Sequence, residues 1–325
     1  MIKTLDIKNF KSIKAMRLDC QRINVFIGEP NTGKSNTLEA MGIFCYTRYY
    51  TYGNSFKDFV RFERVNNLFY DESLDEPIRI DLDELNFRLS FKDGAFRGEF
   101  GSTEPFIALL QGRYDDLRFI GGQADRLKSV KFYRFAVQQI FGRPESDFLL
   151  PPSGANLMSL LLAHRELRTL ANDIFSRFGL KLNLRPQENK IEVTKQLEDI
   201  LISYPYSLVS DTLQRTIFYL VAIRSNKDSI LVFEEPESHA FPYYTKYLAE
   251  TIALDNRNNQ FFISTHNPYL LLPLLEKAPK EDLAIFITYF EDYQTKIRPL
   301  SLAEMEEIME IDVFSNLDRF VNKVK

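Results

Sequence analysis

The sequence predicts an α/β fold: a parallel, helix-covered sheet with an antiparallel β segment and a helical insertion set into it. Three observations carry that prediction. The final third alternates helix-periodic stretches with short apolar β runs, as parallel sheets do. Residues 22–28 (RINVFIG) form a near-continuous apolar run, the mark of a strand buried on both faces. Between these regions the pattern is period-two alternation with a hairpin turn, which is antiparallel sheet. The 325 residues correspond to about two domains. No internal repeat separates them, so the two parallel-sheet pieces read as halves of one core divided by insertions.

Taken in order, two short strands open the chain, one over 2–10 and a second ending at 22–28. The loop GEPNTGKS follows, then a helix on which Leu38, Met41 and Cys45 recur at i, i+3 and i+7. Ile78, Ile80 and Leu82 alternate with charge over 77–82. Asp93-Gly94 joins RLSFK to AFRGEF, a hairpin signal. A strand is predicted over 129–137, then the loop LLPPSGANL and helical periodicity over 156–178. Beyond it come a helix over 211–224, strand 229–233, helix 241–254, strand 260–264, helix 268–277, strand 283–290 and a closing helix over 302–323. This divides the chain into an N-terminal lobe (1–150), a helical insertion (151–205) and a C-terminal lobe (206–325).

Composition narrows the class. Apolar residues make up 45% and charged residues 26%, which excludes disordered, collagen-like and coiled-coil chains. With 28 Phe and no Trp, the core should be Phe-rich. Two cysteines, Cys20 and Cys45, cannot build a disulfide scaffold and suit a reducing compartment. No run of about 18 apolar residues is present, and the charged, alternating start MIKTLDIKNFK is unlike a signal peptide. A cytoplasmic protein without membrane contact is expected. The net charge of −4 is uneven: residues 1–64 hold 11 basic and 6 acidic groups. DNA contact would therefore need a local patch, at Lys3, Lys8, Lys11, Lys14 and Arg17, which equally reads as a solvated strand face.

The chemistry concentrates in three strand ends. Gly28-Glu29-Pro30-Asn31-Thr32-Gly33-Lys34-Ser35 is a GxxxxGKS phosphate loop between a strand and a helix. Its glycines let backbone N–H groups converge on phosphate oxygens at a helix N-terminus, with Lys34 reaching the β- and γ-phosphates and the Ser35 hydroxyl ligating Mg²⁺. The run SILVFEEPESHAF (229–241) ends a strand in adjacent carboxylates: Glu234 to hold Mg²⁺ through water, Glu235 to act as general base. FFISTHNP (261–268) ends the next strand at His266, within reach of a γ-phosphate. His164 has no such context and reads as a helix residue; His239 is placed near a subunit contact. Asn226-Lys227-Asp228 imitates a guanine reader, but its aspartate is one residue early and precedes the carboxylate strand. The expected nucleotide is ATP.

These three elements in this order resemble the ATP-binding-cassette (ABC) class of P-loop NTPases, in its chromosome-maintenance, recombination and OLD-like branch. The resemblance spans NFKSI, GEPNTGKSN, FEEPESHAF and ISTHNP, with Asn31 and Asn36 at their usual places and Thr32 replacing a usual glycine. It implies an ABC-type head with a mixed sheet flanked by helices, and ATP with Mg²⁺ as its ligands. It also places Lys11 and Ser12 near the nucleotide. The class closes as a head-to-tail homodimer around two ATP molecules, each capped in trans by a signature helix. SLVSDTLQR (207–215) matches its place, with Ser210 toward the partner's ATP and Asp211 and Thr212 at the usual glycines. Ser210 equally reads as the helix N-cap, and Arg215 is expected to offset Asp211. No glutamine loop is identifiable among Gln111, Gln123, Gln138 and Gln139.

No heptads follow the phosphate loop, so a long coiled-coil arm is excluded. Glu304, Glu306, Glu307 and Glu310 spread around the closing helix as a solvated face, so an OLD-type nuclease is also missing. The reading is an ATPase, slow and dimer-dependent, acting as an ATP-driven dimerisation switch in defence against phage or in DNA maintenance. A separate effector such as a nuclease is implied. The rivals are a non-hydrolysing ATP sensor that assembles an effector and, behind it, a transporter nucleotide-binding subunit.

Overall fold

The computed structural model describes residues 1–102, 108–124, 129–142, 146–311 and 313–321. Its first strands are β1 (Thr4–Phe10), β2 (Ile13–Asp19) and β3 (Ile23–Ile27). Three strands therefore open the chain where two were expected. Lys14 and Ala15 both face solvent, which breaks the alternation of β2 and hides it. Lys11, at φ 50°, closes the β1–β2 hairpin. Helix α1 (Lys34–Tyr49) follows the phosphate loop. Then come β4 (Ile78–Leu82), β5 (Leu85–Lys92), β6 (Ala95–Gly101), β7 (Ala108–Arg113) and β8 (Asp116–Gly122), an antiparallel series joined to β1 through β4. The sheet they make has the order β2-β1-β4-β5-β6-β7-β8, and the β5–β6 turn falls at Asp93-Gly94 as predicted.

The strand expected over 129–137 is only β9 (Val130–Tyr133). Helices α2 (Leu157–Ala163) and α3 (Arg165–Ser176) meet at His164, which sits at their junction rather than inside a helix. The segment read as a helical insertion then changes character. Strands β10 (Lys181–Arg185), β11 (Lys190–Leu197) and β12 (Ile200–Pro205) form a separate antiparallel sheet. Only Ile191 and Val193 of its residues are fully buried, so its apolar signal is short.

The C-terminal part alternates α4 (Asp211–Ser225), β13 (Ile230–Glu234), α5 (Pro242–Ala253), β14 (Gln260–Ser264) and α6 (Pro268–Lys277). It ends in the hairpin β15 (Leu283–Glu291) and β16 (Gln294–Pro299), then α7 (Leu302–Glu310) and α8 (Leu317–Val321). The single closing helix expected over 302–323 is thus two helices; residues 312 and 322–323 lie outside the described ones. Glu304 corrects the solvated-face reading as well. It is buried, closes a capping box with Ser301 and pairs with Arg298.

The second large sheet has the order β16-β15-β3-β14-β13-β9, parallel except for β16. Both of its faces are buried. Val25 and Ile27 point toward α4, α5 and α6, whereas Phe26, Val232 and Phe262 point toward α1. Helix α1 is buried nearly all round, because the seven-stranded sheet covers its other side. Phe44 of α1 meets Phe100 edge-on at 5.3 Å, and Phe100 lies 4.6 Å from Phe87. The Phe-rich core is this layer. No helix among the described residues is long and apolar enough to cross a membrane.

Candidate nucleotide site

Because β3, β14 and β13 are neighbours and parallel, their C-terminal ends lie side by side. The phosphate loop leaves β3, His266 follows β14, and Glu234 ends β13. A cavity of about 410 Å³ lies over the loop, lined by Pro30, Asn31, Thr32, Gly33, Lys34, Ser35, Asn36, Arg61 and Glu235. Crevices at the carboxyl ends of parallel strands are where open α/β sheets bind ligands.

The loop is built by local constraints. Gly33 caps α1 at φ 94°, and a Cβ there would come within 2.1 Å of Thr295 Oγ1. Gly28 lies against Thr288, whose carbonyl oxygen would be 2.3 Å from an added Cβ. Asn31 is left-handed at φ 63°. The Thr32 hydroxyl bonds the Glu29 carbonyl and the Thr288 hydroxyl, each at 2.8 Å. Thr32 thereby ties the loop to β15, work that a glycine cannot do. Lys34 Nζ donates to the carbonyls of Gly28 (2.8 Å) and Glu29 (2.7 Å), curled inside its own loop. Burial lowers its pKa, against the pull of Glu235 and Glu29.

Ser12 stands beside the loop: its hydroxyl accepts from Asn36 at 2.7 Å and contacts Thr295 Oγ1 at 2.7 Å. Lys11 does not line the cavity. Its ammonium pairs with Glu39 and donates to the Arg61 carbonyl at 2.7 Å. That pairing also removes Lys11 from the basic patch of the first hairpin.

Glu234 is the electrostatic centre. Arg134 reaches it at 2.9 Å and Arg61 at 2.8 Å, and the Ser35 hydroxyl donates to it. Burial alone would raise its pKa; Arg134, Ser35 and Arg61 outweigh that and hold the carboxyl below the usual range. It is ionised at neutral pH. Both arginines also hold Glu39 of α1, at 2.6 and 3.1 Å, a carboxylate with no exposed surface. Two carboxylates and three cations thus form one network behind the loop. The Ser35 hydroxyl and the Glu234 carboxylate are hard oxygen donors brought together, which suits Mg²⁺ shared with phosphates.

Glu235 sits at φ 42°, held by hydrogen bonds from its N–H to the Ser264 carbonyl (3.1 Å) and hydroxyl (3.2 Å). His266 Nδ1 lies 3.4 Å from Glu235 Oε1. Ser210 is elsewhere. It starts α4 without a side-chain cap and lines an apolar groove with Leu208, Phe241 and Tyr243. Arg215 pairs with Asp211 at 3.4 Å, and the Thr212 hydroxyl donates to the His239 carbonyl at 2.8 Å. Asn226 is buried in a network with Tyr133 and Lys131, a structural role. Among the described residues no cluster of three or more acidic, His or Cys groups could hold a metal by itself.

Sequence reasoning passed over Arg61, Arg134 and Glu39. Arg134 follows directly on β9, the strand beside β13, and was counted inside a longer strand. Glu39 carried a usable signal: an acid one residue after Leu38 on a helix that must be covered on all sides.

A phosphate loop on the central strand, with carboxylates and a histidine on the next two strand ends, defines an ABC-class P-loop ATPase. The chain belongs to the family described as "AAA domain, putative AbiEii toxin, Type IV TA system", which it matches over residues 23–272. No curated protein matches it. Among solved structures it is similar to an Smc head bound to the C-terminal winged-helix domain of ScpA. That pair shares 14% identity and a TM-score of 0.54 over 95% of this chain and 99% of the other. It is also similar to an Smc head with an extended coiled coil, bound to the C-terminal domain of ScpA derived from Pyrococcus furiosus. There the identity is 14% and the TM-score 0.52, over 95% and 98% of the two chains. At this identity the likeness is one of fold.

Proposed function

We propose that the protein binds and hydrolyses ATP with Mg²⁺ and uses it as a dimerisation switch. The observation that carries this is the convergence of the phosphate loop, Glu234, Glu235 and His266 on three adjacent strand ends. In this reading the loop N–H groups and Lys34 hold the phosphates, and Ser35 and Glu234 hold Mg²⁺, which neutralises phosphate charge. Lys34 leaves the carbonyls of Gly28 and Glu29 when phosphate oxygens replace them. Glu235 accepts the proton of the attacking water, and His266 orients both Glu235 and the γ-phosphate. Ser210 of a second copy closes the site head to tail, and hydrolysis releases the pair. Arg215 supports this by pairing with Asp211, the acid otherwise aimed at ATP.

The outlet we propose is defence, through a separate effector protein such as a nuclease; the family description, which names a toxin and a Type IV TA system, supports it. DNA maintenance is the second outlet. It would use Lys3, Lys8, Lys14 and Arg17, which remain exposed on the first hairpin.

The deciding experiment is the mass in solution of Glu235→Gln with and without ATP–Mg²⁺. A monomer that becomes a dimer only with ATP is expected, since the variant binds but does not hydrolyse. A mass indifferent to ATP sinks the switch.

A further inference from the structure

Two turns carry the hydrolytic groups, Glu235 after β13 and His266 after β14, and neither turn is regular structure. Both are held at several points. The Glu235 N–H is bound to Ser264, and the Thr265 N–H donates to the Phe26 carbonyl of β3 at 3.0 Å. Asn267 donates its N–H to Thr265 Oγ1 at 3.0 Å, and its side chain caps α6 by accepting from Tyr269 N at 2.8 Å. One buried side chain links the two turns. Glu237 is 2% exposed; its Oε1 accepts from the Thr265 hydroxyl, and its Oε2 is buried with no hydrogen-bond partner among the described residues. The Glu237 carbonyl accepts from Ala240 N at 2.9 Å, so its own turn is closed as well.

We propose that Glu237 is the positioning residue of this site: through Thr265 its buried carboxyl locks the Glu235 turn to the His266 turn and keeps the pair in register. A carboxyl placed there at the cost of burial, with one oxygen spent on a neighbouring turn, is poorly explained by stability alone. Burial pushes its pKa up to about 7, with Thr265 pulling the other way. An acid that is half protonated near neutral pH resembles an amide, so glutamine should replace it in this role. Glu237 touches neither the phosphate loop nor the cavity over it. It acts through the geometry of Glu235 and His266, whose atoms now stand 3.4 Å apart.

The proposal rests on reading those two residues as the hydrolytic pair, and its test separates the two ideas. Full-length wild type, Glu237→Ala, Glu237→Gln and Thr265→Val are compared in ATP turnover and in the imidazole NMR signals of His266. With three histidines in the chain, those signals are assigned by His266→Gln. Glu237→Ala and Thr265→Val should lower kcat on the order of tenfold to a hundredfold, the cost of misplacing reacting groups by about an ångström. KM for ATP should stay within about twofold, because ground-state binding is untouched. Both variants should also move the His266 signals, while Glu237→Gln keeps kcat and signals near wild type. If Glu237→Ala does not fold, Thr265→Val, which removes one hydroxyl, carries the same comparison. Unmoved His266 signals and full kcat in Thr265→Val overturn the proposal, and so does a Glu237→Gln variant as impaired as the alanine. A wild type without turnover sinks the hydrolysis reading instead, and the His266 signals alone then decide Glu237.

Discussion

At Gly33 two constraints meet in one atom. The residue needs φ 94°, and Thr295 fills the space where a Cβ would stand. Gly33→Ala should cost on the order of 2 kcal/mol, from strain and overlap together, and abolish ATP binding by opening the loop. Calorimetry and nucleotide titration check both halves. Glu39 works differently, since its own burial is tolerated only while Lys11, Arg61 and Arg134 surround it. Glu39→Ala leaves Lys11, Arg61 and Arg134 crowded together without the carboxylate they share and should destabilise by about 3 kcal/mol; a loss under about 0.5 kcal/mol in denaturant unfolding would refute the network. Glu237 adds a pH dependence. Its folded pKa of about 7 lies above the ordinary 4.5, so the stability it contributes is present below about pH 4.5 and lost as pH rises through 7. The stability of wild type relative to Glu237→Gln should therefore fall between pH 5 and 8, and a flat difference contradicts the buried acid. The contiguous residues of the site were legible because a phosphate loop is spelled in one stretch. Arg61, Arg134, Glu39 and Glu237 were not. Their roles come from register between strands and from depth, and neither is written in local spacing.

Elements were legible in proportion to how much apolar surface each buries. Strands β3, β13 and β14 bury nearly every residue and stand out as apolar runs. The sheet β10–β12 buries little and passed as the continuation of a helical insertion. The closing helix failed for another reason: its glutamates were read as one solvated face. Glu304 instead caps the start of α7. It accepts from the Ser301 backbone and hydroxyl, both at 3.0 Å, and pairs with Arg298. Burial would raise its pKa, and those bonds more than offset that, holding it below the usual carboxylate range. Glu304→Ala should therefore destabilise by about 1 kcal/mol through loss of the cap. Hydrogen exchange should show that loosening first in α7, and an unchanged α7 would mean that the cap contributes nothing.

At the scale of the whole molecule, the loop and the start of α4 belong to different surfaces. Lys34 and Ser35 line the cavity over β3, whereas Ser210 opens an apolar groove with Leu208 and Phe241. If ATP is sandwiched head to tail, each composite site takes its loop from one copy and its Ser210 from the other. Lys34→Ala and Ser210→Arg should then each abolish ATP-driven dimerisation and turnover alone, by different defects. Mixed, they can form a heterodimer in which one site carries both defects and the other carries neither. Turnover should return on mixing, to no more than about half the wild-type rate per dimer, and should peak near equal amounts of the two variants. The same mixture built on Glu235→Gln should bind ATP and dimerise without turnover. If mixing restores nothing while each variant alone is folded, Ser210 does not act in trans. The loop cavity would then be a complete site within one protomer, which is the geometry a monomeric ATP sensor needs.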